Sequence, residues 1–207
     1  MGLLSIFKKK KPENKMPSGD FADVSHWEKV NFTLYDKPML VTKCTESTSI
    51  IDPTFNSLKI NSKAKKIKFG AYHFFRCNKP VIDQAEFFLK VAGLDCDYYI
   101  LDFESLDGSN PYVARQFVLP FLKYVEEKTG KLPFFYSGHA FIVSLNLDPE
   151  VAKYPLWLAR YTTITPQAPA PWKDWTWWQF SDKAFFNGIG ECDGNVIKWK
   201  RLVLSLF

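Results

Sequence analysis

Between Phe21 and about Val125, hydrophobic positions fall into two alternating rhythms. Short runs with every second residue apolar read as strands, and runs with apolar residues three and four apart read as helices. Phe21-Ala22-Asp23-Val24-Ser25-His26-Trp27 is a short strand followed by a turn, with Asp23 where the strand ends. Residues 38–43 are a second strand. A polar, Lys-rich helix over 53–65 follows, with Asp52 as its cap and Pro53 as its first residue. Residues 67–75 are a third strand, and Ala85, Phe88, Leu89 and Ala92 place a helix from about 80 to 92. The stretch from Asp97 to Ser105 is a largely apolar fourth strand that ends on Asp102 and Glu104. Val113, Phe117, Val118, Phe121, Leu122 and Val125 predict an amphipathic helix, kinked at Pro120 and ended near Gly130. Residues 132–136 are a fifth strand, after which Ser137-Gly138 opens a short helix. The rhythm then changes. Strands at 155–161, 175–180 and 189–196 follow with little helix between them, and Pro166, Pro169 and Pro171 break the first gap.

Five strand–helix units followed by three strands predict an α/β fold in which parallel strands close, or nearly close, into a barrel. Functional side chains in such barrels gather at the C-terminal ends of the strands. Asp23, Lys43, Tyr72, Phe74, Asp102, Glu104, Tyr136 and Tyr161 all fall at or near such ends, and so converge on one rim. Asp102 and Glu104 are two apart on one strand and point the same way. Two adjacent acids raise each other's pKa, which suits acid–base work; an acidic strand end that simply meets water is the plain alternative.

Composition narrows the picture only in places. The chain has 207 residues, 46% hydrophobic and 24% charged, enough for one larger domain. Aromatics reach 17%, with Trp157, Trp172, Trp175, Trp177 and Trp178 concentrated late; flat rings suit cores and also the apolar faces of sugars. The net charge of +5 sits mostly in residues 1–16, where Lys8, Lys9, Lys10, Lys11 and Lys15 face only Glu13, so the body carries about +1. A nearly neutral body argues against specific nucleic-acid binding. Residues 1–18 read as a flexible basic tail that could meet a polyanion such as anionic lipid, wall polymer or nucleic acid, with a solvated lead-in the plainer reading, and residues 19–207 as the folded barrel. Cys44, Cys77, Cys96 and Cys192 lack metal-site spacing and are expected to be reduced, with Cys44 and Cys77 the pair placed to meet. His26, His73 and His139 form no ligand pattern, so neither metal nor cofactor is expected. No secretory signal is legible, and Ile6 breaks the motif that would make Gly2 a lipidation site.

The ordered motifs resemble the lysozymes of glycoside hydrolase family 25, the Chalaropsis-type muramidases. They are Asp23–Trp27, Gly70-Ala71-Tyr72-His73-Phe74, Asp102-Phe103-Glu104, Tyr136-Ser137, Leu156–Tyr161, Trp178-Gln179-Phe180 and Cys192-Asp193-Gly194-Asn195. The resemblance implies a flattened TIM-like barrel that hydrolyses the β-1,4 bond between N-acetylmuramic acid and N-acetylglucosamine of bacterial peptidoglycan, with retention. Glu104 would be the general acid, and Asp102 would assist the substrate's 2-acetamido group. Asp23 and Asp193 would complete the acidic rim. Tyr72, Phe74, Tyr136, Trp157, Tyr161, Gln179 and Lys43 are the expected substrate-binding residues, whereas His26 and His73 are expected to be structural. The likeness to phage endolysins implies a monomer, held in a host cytoplasm before release or carried on a virion, that acts on the cell wall. A catalytically silent glycan-binding module and a virion structural component are the competing readings.

Overall fold

The computed structural model describes residues 19–198, so the basic tail with Lys8, Lys9, Lys10 and Lys11 lies outside the described residues. The elements are β1 (Phe21–Val24), β2 (Met39–Glu46), β3 (Ile50–Ile51), α1 (Phe55–Ala64), β4 (Lys68–Phe74), α2 (Val81–Ala92) and β5 (Tyr98–Asp102). They continue with α3 (Pro111–Ala114), α4 (Val118–Thr129), β6 (Phe134–Gly138), α5 (His139–Leu145), β7 (Leu156–Ala159), β8 (Trp177–Phe186) and β9 (Gly190–Ile197). β1 pairs with both β2 and β9, which closes eight strands into a barrel; β3 is a short antiparallel addition to β2. The strands from β1 through β8 run parallel around the barrel, apart from β3, and β9 runs against both neighbours. This is the α/β barrel that the alternating rhythm predicts. The first of the five units departs from it in detail, because turns and irregular backbone rather than helix connect β1 to β2.

The two-residue period of the strands sorts side chains between two cores. Phe21, Met39, Val41, Ile100, Phe134, Tyr136, Trp157 and Trp177 fill the barrel interior. Their outward neighbours, among them Ala22, Leu40, Tyr99, Leu101 and Phe135, pack against Phe88 of α2 and Phe121 of α4 in the larger outer core. Burying each such large side chain contributes roughly 1.5–3 kcal/mol. Gly70 is the interior position of β4 where three strands crowd: a Cβ there would lie 2.9 Å from Val41 Cγ2 and 3.3 Å from Ile100 Cδ1. His73 points outward, as alternation with Tyr72 requires. It hydrogen-bonds Thr45 Oγ1 at 2.8 Å and Gln84 Oε1 at 3.2 Å, and burial pushes its pKa down to about 4. A neutral ring in the outer core is a structural histidine.

Two local expectations are corrected. Asp52 does not cap α1 and Pro53 is not its first residue, because the helix begins at Phe55 behind Thr54. Asp52 Oδ1 instead accepts from Thr54 N and Oγ1, while Oδ2 accepts from His26 N, so this carboxylate joins two loops. Pro120 does not kink a long helix either. A short helix α3, capped by Asn110, and a single 3-10 turn precede α4, which puts Pro120 in the first turn of α4. There its missing N–H has no acceptor within the helix to lose. The four cysteines are free and buried. No helix of the described residues is long and apolar enough to cross a membrane.

Candidate active site

The alternation that fills the barrel also delivers polar side chains to its C-terminal mouth. Asp23 lies on β1, Lys43 on β2, Tyr72 and Phe74 on β4, Asp102 on β5, Tyr136 on β6, Trp157 on β7 and Asp193 on β9. Together with Glu104, just past β5, they line a cavity of about 210 Å³. Ser25 and Trp27 line it too, and were missed by the sequence reading. Both stand in the Asp23–Trp27 motif, where the aromatic beside a strand-end acid was the available signal. Trp27 is 80% exposed and packs against an anchored neighbour. Its ring lies 4.4 Å from that of His26, whose backbone N and Nδ1 bind Asp52 Oδ2 at 3.0 and 2.9 Å.

Beneath the cavity, two buried amides set the geometry. Asn195 Nδ2 donates to Asp23 Oδ2 at 2.6 Å, and its Oδ1 accepts from Trp157 Nε1 at 2.8 Å. Gln179 Nε2 donates to both oxygens of Asp23, at 3.1 and 3.3 Å, while its Oε1 accepts from Tyr136 Oη at 2.9 Å and Tyr161 Oη at 3.1 Å. Gln179 therefore lies under the cavity wall, fully buried, rather than on it. Tyr161 stands outside the main cavity and lines a neighbouring one. Asn195 had no assigned role in the sequence reading; its place in the Cys192–Asn195 motif was the signal.

The four acids form two pairs. Asp23 and Asp193 face each other across the β1–β9 ladder and hydrogen-bond. Burial, then the charges of Asp23 and Glu28, push Asp193 up to about 8. Burial pushes Asp23 up to about 6, against the lowering effect of its bonds to Asn195 and Gln179. Like charges this close retain a proton between them. In the second pair, burial and then the charge of Glu104 hold Asp102 well above the carboxylate range. Glu104, at the mouth, is raised by desolvation and by the charge of Asp193, with a hydrogen bond to Asp102 opposing the rise. Asp102 Oδ1 is buried and has no hydrogen-bond partner among the described residues. An unsatisfied buried oxygen is costly, on the order of 1–3 kcal/mol, unless a ligand completes it.

The opposite rim is neutralised from within. Lys43 Nζ donates to Glu46 Oε2 at 2.6 Å, and Arg76 donates to Glu46 Oε1 and to Asp107 Oδ1. Both cations lie over the ring of Phe74, with Lys43 Nζ 5.0 Å and Arg76 Cζ 4.7 Å from its centroid. This network ties the end of β2 to the loops after β4 and β5.

A closed barrel whose mouth gathers two acid pairs among aromatic rings has the architecture of a carboxyl-based glycoside hydrolase. The chain belongs to glycosyl hydrolases family 25, whose model matches residues 22–189. It is 33% identical over 157 residues to the uncharacterized protein YegX of Escherichia coli CFT073, covering 74% of this chain and 57% of that protein. It is 30% identical over 148 residues to the autolytic lysozyme of Clostridium acetobutylicum, covering 71% of this chain and 44% of that one. The chain thus spans about half the length of these two relatives. The fold is similar to that of the bacterial lysozyme of Streptomyces coelicolor, with a TM-score of 0.81 at 23% identity over 89% of this chain and 94% of that one.

Proposed function

We propose that the chain hydrolyses the β-1,4 bond between N-acetylmuramic acid and N-acetylglucosamine in bacterial peptidoglycan, with retention and with help from the substrate's 2-acetamido group. The observation that carries this reading is the second acid pair: a buried carboxyl with one oxygen unpartnered among the described residues, next to a second acid at the cavity mouth. The name of the clostridial relative, an autolytic lysozyme, supports the substrate.

Asp102 and Glu104 hold one proton between them. When an acetamido N–H reaches Asp102 Oδ1, it stabilises charge on Asp102 and leaves the proton on Glu104. The acetamido carbonyl oxygen then bonds to C1 as the bond from C1 to the leaving oxygen breaks, and Glu104 gives that oxygen its proton. As a carboxylate, Glu104 next takes a proton from water, whose oxygen attacks C1 and reopens the ring formed by the acetamido group. Two inversions at C1 give retention. Substrate assistance of this kind is a known exception to the two-carboxylate nucleophilic scheme. Asp23 and Asp193 orient the sugar and set the field around the central pair, while Tyr72, Phe74, Tyr136 and Trp157 offer ring faces and hydroxyls to it.

Release of reducing ends from purified peptidoglycan tests the assignment. Glu104→Gln should cut turnover by roughly 10²–10⁴-fold, the usual worth of a general acid–base. Asp102→Asn should leave weak activity, since the amide keeps shape and loses charge. Mass spectrometry of the fragments should find muramic acid at each new reducing end. A glucosamine end, or a Glu104→Gln protein that still clears peptidoglycan, would overturn the reading.

A further inference from the structure

A second cavity of about 260 Å³ adjoins the first and is lined by Glu104, Gly138, Ala159, Arg160 and Tyr161. Glu104 lines both cavities, so a polymer bound at the acids can continue into the second one. The charge of this mouth poses a problem for an anionic polymer. Asp23, Asp102, Glu104 and Asp193 line the two cavities, and Lys43 and Arg160 are the cations among the lining residues. Lys43 is already neutralised by Glu46 at 2.6 Å. Arg160 makes no ion pair among the described residues.

The backbone beneath Arg160 is pinned. Its N–H donates to the Gln179 carbonyl at 3.0 Å, and its carbonyl accepts from Trp178 Nε1 at 2.7 Å. Tyr161, 55% exposed, is held at its hydroxyl by Gln179 and presents a flat wall beside it. A guanidinium on a rigid base is a two-pronged donor whose fork matches a carboxylate.

We propose that this cavity binds a carboxylate carried by the glycan substrate, paired with the Arg160 guanidinium and flanked by the Tyr161 ring. The proposal rests on the muramidase reading above. Two parts of such a polymer carry the required chemistry: the lactyl carboxylate of a muramic acid that bears no stem, and the carboxylates of the peptide stem where one is amide-linked to that lactyl group.

The test compares the full chain with its Arg160→Gln and Arg160→Lys variants, following reducing-end release against substrate concentration. The substrates are stem-bearing peptidoglycan, the same glycan stripped of stems by an amidase so that its lactyl carboxylates are free, and both after carbodiimide amidation of their carboxyls. Arg160→Gln should raise KM about tenfold or more on a carboxylate-bearing substrate, the scale of a lost charged hydrogen bond. Arg160→Lys should fall between Arg160→Gln and the parent. Amidated substrates should abolish the difference between parent and variant. A penalty confined to stem-bearing glycan identifies the stem as the source, and one confined to stripped glycan identifies the lactyl group. Unchanged KM in Arg160→Gln, or an equal penalty on charged and amidated substrates, overturns the inference while the muramidase reading stands. A parent chain that releases no reducing ends from any of these substrates overturns both.

Discussion

Asn195 makes contacts on two strands besides its own: the Asp23 carboxylate and the Phe21 carbonyl on β1, and the Trp157 indole on β7. Replacing it with alanine would leave a buried indole N–H unpaired and take from Asp23 its 2.6 Å hydrogen bond. Asn195→Ala should therefore destabilise the fold by about 1–3 kcal/mol in denaturant unfolding. It should also raise the pKa of Asp23 further, because the lost bond favoured the charged form, and so move the acidic limb of the pH–rate profile upward. Gln179 works alike, joining Tyr136 and Tyr161 to Asp23. Read one residue at a time, such amides look like polar strand ends; their importance lies in partners that the chain order does not reveal.

Among the elements, β8 and β9 are the pair on which half of the acidic rim depends. β9 runs against the barrel's parallel direction, and its register with β8 shifts between Gln179 and Ser181 and again between Ser181 and Ala184. Gly194 sits at this irregularity, where an added Cβ would stand 2.3 Å from Ala184 Cβ and 3.0 Å from a Phe180 ring carbon. The two flanking residues are Asp193 and Asn195, so any shift in backbone here moves the site. Gly194→Ala should cost roughly 1–3 kcal/mol in stability, as overpacking does, and should lower activity more than an equally destabilising change in α2. Thermal melts together with turnover measurements on both variants check this. The bulged part of β8, residues 181–186, was not legible in the sequence reading, which ended the strand at Phe180. Its pairing partner lies in β9 and not in a local pattern. Helices α2 and α4 were legible, because their apolar spacing is local information, whereas the restart at α4 depends on where Pro120 falls relative to a helix end.

For the molecule as a whole, the raised acids and the lowered ones act on opposite sides of the ordinary carboxyl pKa. Asp23 and Asp193 keep protons when folded that the unfolded chain loses near its ordinary carboxyl pKa of about 4. Their contribution is most favourable below that value and is lost as pH rises through about 6 and then about 8. Asp95 behaves oppositely: hydrogen bonds from Lys59 and Lys63 hold it down to about 2, so its contribution is present above the unfolded value and lost as pH falls. Stability should therefore decline on both sides of a broad maximum. Asp193→Asn retains a donor for Asp23 without a charge to bury. Its melting temperature should exceed the parent's at about pH 9 and match it near pH 4, where the parent acid is protonated as well. Equal melting temperatures across that range would count against a raised pKa at Asp193.

The sequence by itself determined the barrel's rhythm and the acids that end its strands. Alternation fixed which side of each strand faces inward and put Asp23, Asp102 and Glu104 at or near strand ends, whereas Asp193 is expected only from the resemblance of the ordered motifs to the family. The alternation is local, since it depends on residues two, three or four apart. Tertiary structure alone decided which groups share protons. Asp23 meets Asp193 only because the barrel closes β1 against β9, bringing together residues 170 positions apart. The same closure set Asn195 and Gln179 beneath Asp23 and left Asp102 Oδ1 buried without a partner among the described residues. It also left Arg160 beside the acids with no ion-pair partner among the described residues. Burial and long-range charge set a carboxyl's pKa, and both are properties of the closed barrel rather than of the strand that carries the acid.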